Sequence, residues 1–187
     1  MVYVATVFMI HGSFGNPDEN WFPWLKNQLI TAGFEVIIPS FPTPDGQSLK
    51  AWRYIFLEFE NKINSETIFV GHSLGPAFIL DILEKIDVKV KACFFVSGFL
   101  GFLENSEFDE VNKTFIEREF DWEKITSNCE NFLMYHSDND PYVPLKKAEE
   151  LKKKLKCELK IISGAGHFNE ATGCLEFPML FKEIIKE

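Results

Sequence analysis

Cysteine is sparse in this chain of 187 residues, and its four copies, Cys93, Cys129, Cys157 and Cys174, are too far apart to form a CxxC. In a reducing compartment, free thiols rather than a disulfide framework are expected. Cys93 lies in an apolar run and reads as a small core residue. Positive charge is also in the minority: 19 Lys and Arg against 28 Asp and Glu give a formal net charge of −9. An acidic domain repels a polyphosphate, so a nucleic-acid partner is not expected. No apolar stretch approaches the length of a membrane span. The amino-terminal "MVYVATVFMI" has no basic residue and reads as a buried strand, so a cytoplasmic protein without a membrane partner is expected. There is no HExxH, no Cys/His ligand spacing and no G-x-G-x-x-G, so neither a metal nor an organic cofactor is expected. Histidine occurs only four times, at His11, His72, His136 and His167, which keeps the search for a catalytic base short.

Aromatic residues, by contrast, are plentiful: 20 Phe and four Trp. They point to a bulky core, an apolar pocket, or both. The length suits a single domain spanning 1–187. No repeat, linker or low-complexity tract interrupts it. Short apolar runs at Val2–Ile10, Glu35–Ile38, Thr67–Val70, Val90–Val96, Phe132–His136 and Glu158–Ile162 alternate with helical patterns. Most are apolar throughout, as in parallel strands covered on both faces. Trp21, Trp24, Leu25, Leu29 and Ala32 follow a 3.6-residue period, with Asp18 or Asn20 as a candidate cap and Gly33 just past the end. Further helices are expected around Trp52–Phe59, Pro76–Lys85, after Pro144, and over Glu176–Lys186. In "LKKAEELKKKLK", Glu149/Lys153 and Glu150/Lys154 have the spacing of charge pairs along a solvated helix face. The alternation predicts a three-layer α/β fold of about six mostly parallel strands with right-handed crossovers. Residues 99–131 exceed a simple crossover and read as an excursion of one or two short helices. That excursion is either a pocket wall or an ordinary surface connection.

The stretch carrying the chemistry is "IFVGHSLGPAF" at 68–78. A serine needs exposure, a base and a site for the developing oxyanion. A sharp strand-to-helix turn exposes Ser73 and requires small residues where backbones crowd, which Gly71 and Gly75 supply. Chance alone yields a G-x-S-x-G in a chain of this length about once in fifteen at average composition. The flanking strand and helix are what give this one meaning. The order Ser, Asp, His places the base after the last strand, at His167 in "SGAGHFNE". The acid comes from "HSDNDPYVP", where pattern alone leaves Asp138 and Asp140 open. Oxyanion donors are the backbone N–H of Leu74 and one in "HGSFG" after the first strand, Ser13 with Phe14 as the alternative. His11 takes a structural part in that turn, and the His72 side chain is expected to point away from the nucleophile. Phe14, Trp21, Phe99 and Phe102 are candidates for the wall of an apolar acyl pocket, with core packing as the other reading.

In this order these pieces resemble the α/β-hydrolase superfamily, and more closely the small serine hydrolases of the retinoblastoma-binding protein 9 type. The likeness runs through "HGSFGNPDENWFPWLKNQL", "GFEVIIPSFPTPDG", "TIFVGHSLG", "DWEKI", "DNDPYVP" and "GAGHFN". The resemblance implies a compact sheet without a large lid domain, with Ser73 as nucleophile and His167 as base. It places the acid on Asp140, immediately before the proline of D-P-x-x-P. The L-x-C-x-E stretch associated with retinoblastoma-protein binding is missing, since "LKCEL" at 155–159 fails at its last position, so that partner is not carried over. The expectation is a monomeric serine hydrolase acting on a small-molecule ester, thioester or amide in a fairly open site. Its activity should rise with pH across roughly 6 to 8, as a histidine base requires. The alternative is a scaffold protein that keeps the fold without turnover.

Overall fold

The computed structural model describes residues 5–187. The part of the first predicted strand at 2–4 lies outside them. Six strands form one sheet in the order β2-β1-β3-β4-β5-β6. They are β1 (Thr6–Ile10), β2 (Glu35–Ile37), β3 (Ile68–His72), β4 (Val90–Val96), β5 (Cys129–Ser137) and β6 (Glu158–Ile162). Every neighbouring pair is parallel. The helices are α1 (Phe22–Thr31), α2 (Leu49–Phe56), α3 (Gly75–Leu83), α4 (Ser106–Ile116), α5 (Trp122–Ser127), α6 (Leu145–Leu155) and α7 (Pro178–Ile184). Among the described residues no helix is long and apolar enough to cross a membrane.

The strands are apolar on both faces because helices cover both. Alternate residues of β1 show it. Val7 and Met9 pack with Trp21, Phe22, Leu25 and Leu29 of the α1 region and with Leu180 and Ile184 of α7. Phe8 and Ile10 join Trp52 and Phe56 of α2, Phe78 of α3 and Leu151 of α6 on the opposite face. All nine residues of α3 are buried, as expected of a helix apolar all round. Asp81 is its one charge. Its carboxylate accepts from Arg53 of α2 and from Arg118, which also pairs with Glu84. A buried charge is tolerated only when so partnered.

Several expected details differ. α1 has no side-chain cap: Trp21 precedes it, and Asn20 instead accepts from the Glu170 amide at 2.8 Å. Gly33 does end it, at φ +95°. β5 begins three residues earlier than the apolar run suggests, and α2 stops at Phe56 before a short 3-10 turn at Glu60–Lys62. On α6 neither predicted charge pair is formed, and Glu150 meets Lys146 at 4.0 Å instead. The 99–131 excursion holds two helices, α4 and α5. α4 is capped by the Asn105 side chain, which accepts from the amides of Glu107 and Phe108.

Candidate active site

Ser73 stands between the end of β3 and the start of α3 at φ +58°, a left-handed conformation that costs a non-glycine residue on the order of 1–3 kcal/mol. The surroundings hold it there. Its N–H donates to the Val96 carbonyl on β4 at 2.9 Å. A Cβ on Gly75 would lie 2.4 Å from the Ile10 carbonyl oxygen, and one on Gly71 would lie 2.7 Å from Ile79 Cδ1. Both glycines of the motif are therefore required by the close approach of α3 to the sheet. Gly12, in the loop after β1, lies equally close to Ser73: an added Cβ would meet Ser73 Cβ at 2.7 Å.

Two backbone N–H groups beside Ser73 remain unengaged. Neither Leu74 nor Ser13 donates its amide to a protein group among the described residues. The Phe14 amide does, to Thr43 Oγ1 at 2.6 Å, which removes it as the alternative donor.

His167 sits in the loop after β6, buried except for 9% of its side chain. Its Nδ1 donates to Asp140 Oδ2 at 2.8 Å and lies 3.0 Å from Oδ1. Asp140 Oδ1 also accepts from the Tyr142 and Val143 amides, each at 3.0 Å. Burial pushes the Asp140 carboxyl up, but the hydrogen bonds and charge of His167, with those two amides, outweigh it and hold the carboxyl below its usual range. Asp138 does something else. It accepts from the Gly164 amide at 2.9 Å and from Ser163 Oγ at 2.7 Å, fastening the start of the His167 loop. Ser73 and His167 line the same cleft of about 350 Å³. No hydrogen bond joins Ser73 Oγ to His167 Nε2; in serine–histidine pairs that bond commonly tightens when substrate binds.

Residues 7–185 match the profile of the family described as Serine hydrolase. The chain belongs to that serine hydrolase family. YdeN of Bacillus subtilis (strain 168) is 29% identical over 178 residues, covering 94% of this chain and 92% of its own. Serine hydrolase RBBP9 of Rattus norvegicus is 28% identical over 151 residues, covering 80% and 78%. The crystal structure of the ydeN gene product superposes with a TM-score of 0.91 at 26% identity and 98% coverage of both chains. Est1E from Butyrivibrio proteoclasticus, solved with ferulic acid bound, shares the fold at a TM-score of 0.69 and 16% identity.

Of the aromatic residues expected in the wall of this hydrolase's pocket, Phe14 and Phe99 line the cleft. Trp21 and Phe102 do not. Trp21 is fully buried beneath the base loop, and its indole N–H donates to the Phe168 carbonyl at 2.9 Å. Phe102 follows the turn at Gly101, where φ is +69°, and is 48% exposed. The excursion and the acid loop add Leu103, Phe108, Asn112, Tyr142 and Val143, and Glu19, Asn20 and the 169–171 segment also line the cleft. Phe14, Phe108 and Tyr142 form a chain of edge-on rings with centroids 5.5 and 5.8 Å apart.

The remaining histidines are structural. His11 donates from Nδ1 to Gly12 O at 2.8 Å and accepts the Phe41 amide at Nε2, 3.1 Å. His136 donates to Val143 O at 2.9 Å, bracing the acid loop. His72 is expected to point away from Ser73; it lies among the cleft-lining residues, and its Nε2 donates to the His167 carbonyl at 2.8 Å. Burial first, then the neighbouring His167, lowers His72 to about 3. This tie between elbow and base loop has no sequence signal beyond a histidine at the variable position of the motif. Among the described residues no group of three or more His, Cys, Asp or Glu is placed to hold a metal.

Proposed function

We propose that this serine hydrolase cleaves a small carboxylic ester, or a thioester or amide, by acyl transfer through a covalent intermediate on Ser73. Ser73 Oγ attacks the carbonyl carbon as His167 Nε2 takes its proton. The carbonyl oxygen becomes an oxyanion held by the amides of Leu74 and Ser13. Collapse breaks the bond to the leaving group, which receives the proton from His167. Water, deprotonated by His167, then attacks the acyl carbon and releases the acid with Ser73 restored. Asp140 fixes the Nδ1–H tautomer and stabilises the imidazolium. The observation that carries the reading is the strained, backbone-locked Ser73 sharing one cleft with the buried His167–Asp140 pair and two unengaged amides. The four free cysteines agree with a cytoplasmic setting.

A fluorophosphonate probe tests it. Stoichiometric labelling of the parent, lost in Ser73→Ala and His167→Ala, is expected. A folded parent that stays unlabelled, or one labelled equally in Ser73→Ala, would overturn the assignment.

A further inference from the structure

Two buried polar residues that line the cleft take no part in the reaction above: His72, whose Nε2 is engaged by the His167 carbonyl, and Asn112. Asn112, on α4, is 2% exposed and lines the cleft. Its amide orientation is dictated by its neighbours. The Val111 carbonyl can only accept, so the Gln47 atom 3.0 Å from it is the NH2 group. That same Nε2 lies 2.9 Å from Ser13 Oγ and 3.0 Å from the Asn112 side chain, which sets its oxygen rather than its NH2 against this donor group. At the other end of Gln47, Oε1 accepts from Thr43 Oγ1 at 2.6 Å, and Thr43 Oγ1 in turn accepts the Phe14 amide. Asn112 Oδ1 also accepts from Ser13 Oγ. Both ends of the network agree, and the amide cannot flip without setting NH2 against NH2.

Asn112 Nδ2 is therefore the group left over. It donates to no protein group among the described residues. It is also not sealed away, unlike the partnerless Ser97 Oγ and His136 Nδ1. Being open to solvent, it can be hydrated, and an acceptor on a bound group can take the place of that water. The place of Nδ2 in the cleft says what that acceptor is attached to. Phe108 lies one turn earlier on the same face of α4, and Phe99 and Leu103 line the cleft beside it. Asn169 and Glu170, which also line the cleft, follow the base in the chain and offer polar groups instead. An acyl group fits the apolar residues around Asn112 better than these polar ones.

We propose that Asn112 Nδ2 donates a hydrogen bond to an oxygen on the acyl group, an ether, hydroxyl or keto oxygen near the scissile carbonyl. The hydrolase then favours oxygen-substituted acyl groups over plain alkyl groups of the same size. This rests on the serine-hydrolase reading. It differs from a generic acyl pocket, which gains nothing from such an oxygen.

The test uses two isosteric p-nitrophenyl esters, methoxyacetate and butyrate, on the full chain, with active sites counted by fluorophosphonate. Methoxyacetate is intrinsically more reactive, so the readout is the change in the kcat/KM ratio between parent and variants, in which intrinsic reactivity and folded fraction both cancel. In Asn112→Leu and Asn112→Asp the methoxyacetate/butyrate ratio is expected to fall about 5- to 20-fold. A ratio unchanged in both variants overturns the proposal, even if both esters slow together, since that would mark Asn112 as support for the Ser13 loop alone. A measurement on the parent needs no variant: methoxyacetamide should inhibit more strongly than butyramide, and equal inhibition overturns the proposal. A parent that neither labels nor turns over either ester rejects the hydrolase reading itself, whereas labelling and butyrate turnover without the ratio change reject only the role of Asn112.

Discussion

Two aspartates two residues apart have different jobs, and the difference is measurable. Asp140 is buried and faces the base, while Asp138 is exposed and fastens the loop that carries it. Asp140→Asn can present an N–H to His167 and select the wrong tautomer. A kcat loss on the order of 10²–10⁴ is expected with little change in KM. Asp138→Asn should keep kcat within about threefold, because its carboxylate touches only Ser163 and Gly164. Ester kinetics on the two variants checks this, and comparable losses would contradict the division of labour. At this scale the glycines were readable from the crowding a strand-to-helix turn imposes and His167 from its place after the last strand, whereas Asp140 was separated from Asp138 only by the family resemblance. Trp21 and Phe102 were not readable, because an aromatic side chain looks the same in sequence whether it lines a cleft, fills a core or faces water. Asn112 has no local signature either. Its partners lie 65 and 99 residues away. The one available hint was a polar residue on the helix face that also bears Phe108 and Phe115.

Among the elements, α3 follows Ser73, the proposed nucleophile, and is itself held through Asp81. Arg118 reaches it from the segment that follows α4, so the excursion is fastened to the nucleophile helix by charge as well as by packing. Arg118→Leu leaves the 7%-exposed Glu84 without a cation and removes one of two partners from Asp81. A loss of about 2–3 kcal/mol is expected, seen as a lower denaturation midpoint with an unchanged m-value. A midpoint equal to the parent's would show that Arg53 suffices. The alternation of strand and helix was legible because strands sandwiched between helices have to be apolar on both faces. The bounds of β5 were not, because Cys129–Asn131 join the ladder through backbone pairing with β4, which polar side chains do not reveal. Nor could the wall-forming role of α4 be read, since it depends on where a 33-residue excursion folds back.

For the whole molecule, three buried histidines set the response to acid. Burial is the leading cause that lowers His11, His72 and His136, with His72 at about 3. His72 faces His167, Asp140 and His11, and no lysine or arginine contributes. An unfolded histidine takes up a proton near pH 6.5. Between about 3 and 6.5 the unfolded chain therefore binds more protons than the native one, and stability falls as pH falls through that window. The depressed Asp140 carboxyl adds a loss of the same sign near the bottom of it. Denaturant midpoints should be flat between pH 7 and 8 and drop steadily from 6.5 to 4. The slope should be shallower in His72→Asn, which can still donate to the His167 carbonyl. A parent midpoint that does not move between pH 8 and 4 would contradict the linkage.

The sheet order has a kinetic consequence. β3 lies inside the sheet between β1 and β4, with all five residues buried, whereas β6 is an edge strand whose residues are half-exposed or exposed. Ser73, the proposed nucleophile, thus follows a well-protected central strand, and His167, the proposed base, follows one that opens more cheaply. In hydrogen-exchange terms, the amides of β3 should report the global opening energy, while those of β6 and the 163–176 loop exchange through smaller fluctuations. Mild denaturant would then uncouple the machinery before it unfolds the protein, silencing turnover while the serine still stands on an intact scaffold.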